Sequence, residues 1–131
     1  MSFPTLNIGD LIAKTPIVQG GMGVGISLSR LASAVANEGG IGVIAGAMIG
    51  MKEPDVASKP LEANLRALRR EIEKAREATQ GIIGVNIMVA LTTFAEMVRT
   101  SIEAKADVIF SGAGLPMDLP KIFNETCERK K

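Results

Sequence analysis

The sequence contains no histidine, no tryptophan and no tyrosine, and its only cysteine is Cys127. Without histidine, and with a single thiol, the chain cannot assemble a His/Cys metal cluster or an internal disulfide. Aromatic residues make up 3% of the chain, which leaves few surfaces on which nucleic-acid bases could stack. The formal net charge is +1, from 15 basic and 14 acidic residues, so no strong field would gather polyanions. The composition therefore predicts a reduced, cytoplasmic protein that binds neither metal nor nucleic acid.

The sequence also lacks a long hydrophobic run. Its longest apolar stretch, residues 41–51, is interrupted by glycines and is shorter than the roughly 20 residues that a membrane helix needs. The first residues do not combine a charged start with an apolar stretch, so we expect no secretory signal and no membrane contact. With 47% apolar residues in 131, the chain can instead bury the core of one domain. The methionines expected to fill that core are Met48, Met51, Met88 and Met97.

Strand and helix signals alternate along the chain. Short runs rich in β-branched residues predict buried strands at residues 16–19, 41–45, 82–87 and 107–111. Signals for the starts of the intervening helices are Ser27 or Ser29 as an N-cap, Pro60, the capping-box pair Thr93 and Glu96, and Pro120. Because each helix must carry the chain back across the sheet, the pattern predicts an α/β fold with parallel strands and right-handed crossovers.

Two architectures satisfy this alternation. A doubly wound open sheet would be complete at 131 residues, whereas an eight-stranded barrel needs about 250 residues. Length by itself therefore favours the open sheet. In both architectures the binding groups lie at the carboxyl ends of the strands, so candidate functional residues are sought there.

A glycine-rich turn follows the first predicted strand, with glycine at positions 20, 21, 23 and 25. Such a turn lets backbone amides approach a flat or anionic ligand, and the helix that it opens favours negative charge at its N-terminus. The spacing matches neither the dinucleotide fingerprint nor a phosphate-binding P-loop. The glycines therefore indicate either a nucleotide cofactor or simply a tight connection between strand and helix.

Polar residues near three strand ends pose a related question. Asn86 lies in an otherwise apolar strand, and Gln19 ends the first strand. A buried side-chain amide must find partners or cost about 1–3 kcal/mol, and either a neighbouring backbone or the edge of a heteroaromatic ring would supply them. Ser111 and Gly112 lie at the end of the fourth strand, where a ligand contact and a plain turn are both compatible with the sequence.

Taken together, these segments resemble the nitronate monooxygenase family, formerly called 2-nitropropane dioxygenase, which includes flavin-dependent enoyl-acyl-carrier-protein reductases. The resemblance rests on three motifs in the expected order, and it spans almost the whole chain. The first is the run from Pro16 to Met22 with the helix end and strand at residues 37–44, the second is residues 84–86, and the third is residues 110–116.

The resemblance implies an α/β fold that overturns the open sheet favoured by length. Residues 1–131 would form the N-terminal half, about four βα units, of a single (β/α)₈ TIM-barrel domain that binds one FMN. The turn Gln19, Gly20, Gly21 and Met22 would lie against the isoalloxazine ring, and Asn86 would hydrogen-bond to the flavin. Ser111 and Gly112 would line the substrate side. The loops that grip the phosphate, and a histidine that many members place near the flavin, would belong to the second half of the barrel.

The resemblance also implies an activity. An alkyl nitronate would give electrons to the flavin, and dioxygen would reoxidise it, yielding a carbonyl compound and nitrite. The long connection over residues 48–77 favours this oxidation over the alternative, flavin-dependent reduction of an enoyl thioester. A third hypothesis is a non-catalytic half-barrel fragment. Because half a barrel exposes two strand edges, we expect a homo-oligomer or pairing with the missing C-terminal half. The catalytic residues are not identified by the sequence.

Overall fold

A parallel three-stranded sheet forms the centre of the computed structural model, which describes residues 3–128. Its strands are β3 (Ile41–Ala45), β4 (Ile82–Met88) and β5 (Val108–Gly112), in the order β3-β4-β5. β3 has the bounds predicted from the sequence, and β4 and β5 each end one residue later than predicted. The fold is therefore mixed α/β with parallel strands.

Residues 16–19 extend this sheet on the far side of β3. The contact is a single parallel bridge between Val18 and Ile41 rather than a regular strand. Two backbone hydrogen bonds support it, from Gln19 N to Ile41 O at 3.0 Å and from Ile41 N to Ile17 O at 2.9 Å. Within residues 3–128 the parallel segments thus follow one another in chain order, without the reversal that a doubly wound sheet requires.

Four helices cover one face of the sheet: α1 (Ser29–Asn37), α2 (Pro60–Ala78), α3 (Phe94–Glu103) and α4 (Leu119–Glu128). Ile44, Val85 and Ile87 point into this helix-facing core and are fully buried. α2 begins with Pro60 as its first residue, as predicted, because proline suits a position that has no intrahelical N–H partner. No helix within residues 3–128 has both the length and the hydrophobicity that crossing a membrane would require.

An antiparallel hairpin not predicted from the sequence covers the amino end of the other face. It consists of β1 (Leu6–Ile8) and β2 (Leu11–Ala13). Its apolar side chains pack with residues at the starts and middles of the parallel strands, namely Ile41, Val43, Ile82, Val108 and Phe110. We call this side of the sheet the inner face. Strands of three residues are too short for their alternation to be recognised in the sequence.

Candidate cofactor site

The candidate site is the carboxyl edge of the sheet, which we define as the strand ends with the loops 20–28, 46–59, 89–93 and 113–118. Uncommon backbone conformations occur in three of these loops. Val24, Met48 and Ala113 have φ values of 51°, 54° and 56°, in the left-handed region that disfavours residues with a Cβ. Such conformations persist only where the surroundings enforce them, and they cluster at functional sites.

The glycine turn is held together by Ser27, whose side chain is almost completely buried. The Ser27 hydroxyl accepts a hydrogen bond from Met22 N at 2.9 Å and donates one to Gly20 O at 3.3 Å. The Ser27 N–H donates to Met22 O at 2.9 Å. From the sequence, Ser27 was only a candidate N-cap. A small hydroxyl residue between a glycine run and a helix is the signal that could have indicated this second role.

Gln19 uses its side-chain amide to bind the neighbouring strand. Its Nε2 donates to Val43 O at 3.0 Å, and its Oε1 accepts from Val43 N at 3.2 Å. The side chain thus replaces the next backbone rung between residues 16–19 and β3, which explains why this segment forms only one bridge. Of the two partners expected for Gln19, the structure provides the neighbouring backbone. A cofactor contact from Gln19 stays a prediction.

Gly21 and Asn86 meet at the carboxyl edge on the inner face. A Cβ built on Gly21 would lie 2.7 Å from Asn86 Cβ, so the turn packs directly on this side chain. Asn86 is half-buried, and its side-chain amide has no hydrogen-bond partner within residues 3–128. A donor and an acceptor therefore lie beside the backbone of Gly21, an arrangement that suits the polar edge of a planar ring.

Ser111 and Gly112 lie on opposite faces of β5. Ser111 pairs with Ile87, which faces the helices, so its side chain points away from the inner face. Its buried hydroxyl has no hydrogen-bond partner in the described part of the chain. Gly112 pairs with Met88 and shares the face of Asn86, and a Cβ there would meet only open space. The structure thus brings Gly20, Gly21, Met22, Asn86 and Gly112 to one edge and leaves the Ser111 hydroxyl on the other face.

The methionines of the carboxyl edge are exposed, contrary to our expectation that they fill the core. Of the four methionines expected in the core, Met97 is buried, whereas Met48, Met51 and Met88 are exposed together with Met22 and Met117. The expectation failed because Met88 is the last residue of β4 and Met48 and Met51 follow β3, so all three lie at the open edge of the sheet. Flexible thioether side chains give this edge an apolar and adaptable surface.

The N-terminus of α1 is already capped by Glu71 from α2. The Oε2 atom of Glu71 accepts hydrogen bonds from Ser29 N at 3.1 Å and Ser29 Oγ at 2.6 Å. Burial raises the pKa of Glu71, but the Ser29 hydrogen bonds and the charges of Lys74 and Arg70 outweigh this effect and lower the pKa below its usual value. The negative charge expected at this helix end is thus supplied by a carboxylate of the protein itself, and the binding of a nucleotide cofactor by the glycine turn stays a prediction.

The loop that follows β3 is held to α2 by two side chains of that helix. Asn64 Oδ1 accepts a hydrogen bond from Gly50 N at 2.8 Å, and Arg70 forms an ion pair with Glu53 at 2.8 Å. The hydrogen bond from Arg70 lowers the pKa of Glu53. Within residues 3–128 no group of three cysteine or acidic side chains is arranged to hold a metal ion.

Comparison with known proteins gave a family and a structural likeness. The family model described as nitronate monooxygenase matches residues 6–129. FabK from Thermotoga maritima is 32% identical, with a TM-score of 0.63 over 85% of this chain and 31% of that chain. A mutant of the same FabK gives the same identity and TM-score and is matched over 33% of its length. This chain therefore spans about a third of the FabK chain. No curated protein matches.

Proposed function

Given that the chain belongs to the nitronate monooxygenase family, we propose that residues 1–131 are the N-terminal part of one FMN-binding (β/α)₈ barrel in a flavin-dependent oxidoreductase. The parallel segments lie side by side in the same order as they occur in the chain, and this order supports the barrel architecture, because neighbouring strands of such a barrel are consecutive in the chain. The helices on one face and the hairpin at the amino end of the other support it too.

The packing of Gly21 on Asn86 is the single observation that carries the cofactor proposal. The backbone of residues 20–22 would lie against the isoalloxazine ring, and the free amide of Asn86 would hydrogen-bond to its polar edge. Gly112 leaves open space on the same face. FMN would supply the redox chemistry, while these residues bind and orient it. The phosphate grip would come from loops outside residues 1–131.

Oxidation of an alkyl nitronate is the activity we favour. Two nitronates and one dioxygen would give two carbonyl compounds and two nitrites: the C–N bond of each nitronate breaks, an oxygen atom of dioxygen becomes each carbonyl oxygen, and the nitrogen leaves as nitrite. The family model supports this choice. The ionisable residues of the carboxyl edge as defined above are Lys52, Glu53, Asp55, Lys59 and Asp118, and we assign no catalytic acid or base among them.

Reduction of an enoyl thioester is the second candidate. The 32% identity with FabK favours it, because FabK belongs to the enoyl-reductase branch of the family. In that reaction a reduced nicotinamide supplies the hydride that reaches the thioester by way of the flavin. The apolar methionine-rich edge is compatible with both kinds of substrate.

The function is tested by reconstituting the protein with FMN and following two reactions separately. Nitrite release and oxygen uptake from a nitronate, without nicotinamide, would support the first candidate. Oxidation of reduced nicotinamide that depends on an enoyl thioester would favour the second. If FMN does not remain bound after gel filtration and neither reaction occurs, this chain by itself is not a flavoenzyme and the fragment hypothesis is favoured.

We also propose that a second polypeptide segment covers the free edge of β5, either the remaining part of the barrel or another copy of this chain. An apolar groove of about 470 Å³ lies beside the start of β5 and is lined by Ile102, Val108, Ile109, Leu119 and Phe123. Exposed apolar surface beside an unpaired strand favours association. When residues 1–131 are produced alone, light scattering after size-exclusion chromatography should show an oligomer. A compact monomer of this chain would contradict the proposal.

A further inference from the structure

The position of Glu71 links α2 to the glycine turn. Helices are usually capped by the residue that precedes their first turn, but Leu28 has that position in α1 and has no side-chain acceptor. Glu71 supplies the acceptor from 42 residues along the chain, and its side chain is buried. Both groups that Ser29 can donate, N–H and O–H, bind the same carboxylate oxygen.

Only one residue separates this cap from the residue that closes the glycine turn. Ser29 lies two positions after Ser27, whose hydroxyl holds Met22 and Gly20. The Ser27 carbonyl also accepts a hydrogen bond from Ala45 N at 3.0 Å, which connects the turn to the end of β3. A displacement of the start of α1 would therefore be transmitted directly to the turn.

The surroundings of Glu71 keep it charged and in place. Lys74 and Arg70 lie 3.7 and 3.8 Å from its other oxygen, Oε1. One carboxylate oxygen is thus directed to α1, and the other faces two cations of its own helix. Removal of the carboxylate would leave the N–H and hydroxyl of Ser29 buried without an acceptor, which is costly.

We propose that Glu71 is a positioning residue for the candidate cofactor site, because it caps α1 across the fold and thereby fixes the glycine turn against Asn86. Its importance for cofactor binding rests on the function proposed above. The local effect of Glu71 on the glycine turn does not depend on that proposed function.

Hydrogen exchange of the cofactor-free protein tests the local effect. In Glu71→Ala, exchange at the amides of Met22 and Ser27 should rise roughly 10- to 100-fold relative to that of Val85 in β4, which reports global opening. Glu71→Gln keeps a neutral acceptor and should restore most of the protection. Glu73→Gln is the matched control on the same helix, since Glu73 is exposed, and should exchange as the wild type does. The proposal is overturned if the Val85 amide accelerates as much as the turn, or if Gln and Ala at position 71 behave alike.

FMN titration separates this proposal from the proposed function. A fall in affinity in Glu71→Ala, but not in Glu73→Gln, would support both. Faster exchange in the turn of a protein that never binds FMN would support the positioning role and count against the flavin site. Normal FMN affinity in Glu71→Ala despite faster exchange would overturn the claim that the cap matters to the cofactor.

Discussion

Replacement of Gly21 by alanine should destabilise the packing of the glycine turn on β4, whereas the same replacement at Gly20 should not. A Cβ on Gly21 would lie 2.7 Å from Asn86 Cβ, 3.2 Å from Asn86 Cγ and 3.4 Å from Val43 Cγ1. To reach ordinary contact at 3.4 Å, the turn or Asn86 must move by about 0.7 Å. A Cβ on Gly20 would have no atom within 4 Å. The two neighbouring glycines thus form a matched pair.

The expected cost follows from this crowding. Overpacking of this kind destabilises a protein by about 1–3 kcal/mol, and we expect the lower half of that range because the turn is exposed and can move outward. The effect on the cofactor should be larger, since the movement separates the glycine backbone from the amide of Asn86. We expect FMN affinity to fall roughly 10- to 100-fold in Gly21→Ala, which corresponds to about 1.4–2.8 kcal/mol of lost binding free energy.

Urea denaturation and FMN fluorescence quenching measure the two effects independently. Gly20→Ala should retain the stability of the wild type, and because residue 20 is itself placed against the flavin it serves as a control for stability only. Wild-type FMN affinity in Gly21→Ala would refute the idea that contact between Gly21 and Asn86 shapes the site. Equal losses of stability would show that the turn does not pack on β4 as the structure has it.

Three further predictions concern stability. Gly42→Ala should lower the free energy of unfolding by about 3 kcal/mol or more, because the new Cβ would lie 1.8 Å from a backbone oxygen of α1. Gly112→Ala is the control, since its Cβ would lie in open space, and it should change the free energy of unfolding little. Ser27→Ala should cost about 0.5–1.5 kcal/mol by removing the acceptor of the part-buried hydrogen bond from Met22 N. Folding lowers the pKa of Glu71 below its ordinary value of 4.5. The Glu71 carboxylate should therefore stabilise the fold fully above pH 4.5, and this stabilisation should disappear as the pH falls through the pKa of the folded state. Comparison of the wild type with Glu71→Gln in urea, from pH 7 to pH 3, measures that loss.

Each of these outcomes can be contradicted by one measurement. A Gly42→Ala protein as stable as Gly112→Ala would exclude the close approach of α1 to β3. Unchanged stability of Ser27→Ala would mean that its hydroxyl does not hold the turn. A difference between wild type and Glu71→Gln that grows on acidification would have the wrong sign for a carboxyl group with a lowered pKa.

Local patterns were sufficient to predict most of the secondary structure. The β-branched run at residues 41–45 and the helix start at Pro60 were correct to the residue. Other helix signals were only partly correct: Thr93 is the N-cap of α3, but its side chain makes no capping hydrogen bond. The hairpin β1-β2 was missed because its strands are too short for a periodic pattern.

The sequence by itself determined the alternation of strands and helices, the position of the glycine turn after residues 16–19, and the polar residues near the strand ends. These features are local, since they depend on side-chain periodicity and on the conformations that glycine and proline allow. Only the tertiary structure decided that Gln19 binds Val43, that Gly21 packs on Asn86, and that Ser111 faces the helices. These contacts depend on strand register and on residues distant in sequence, so no local pattern could specify them.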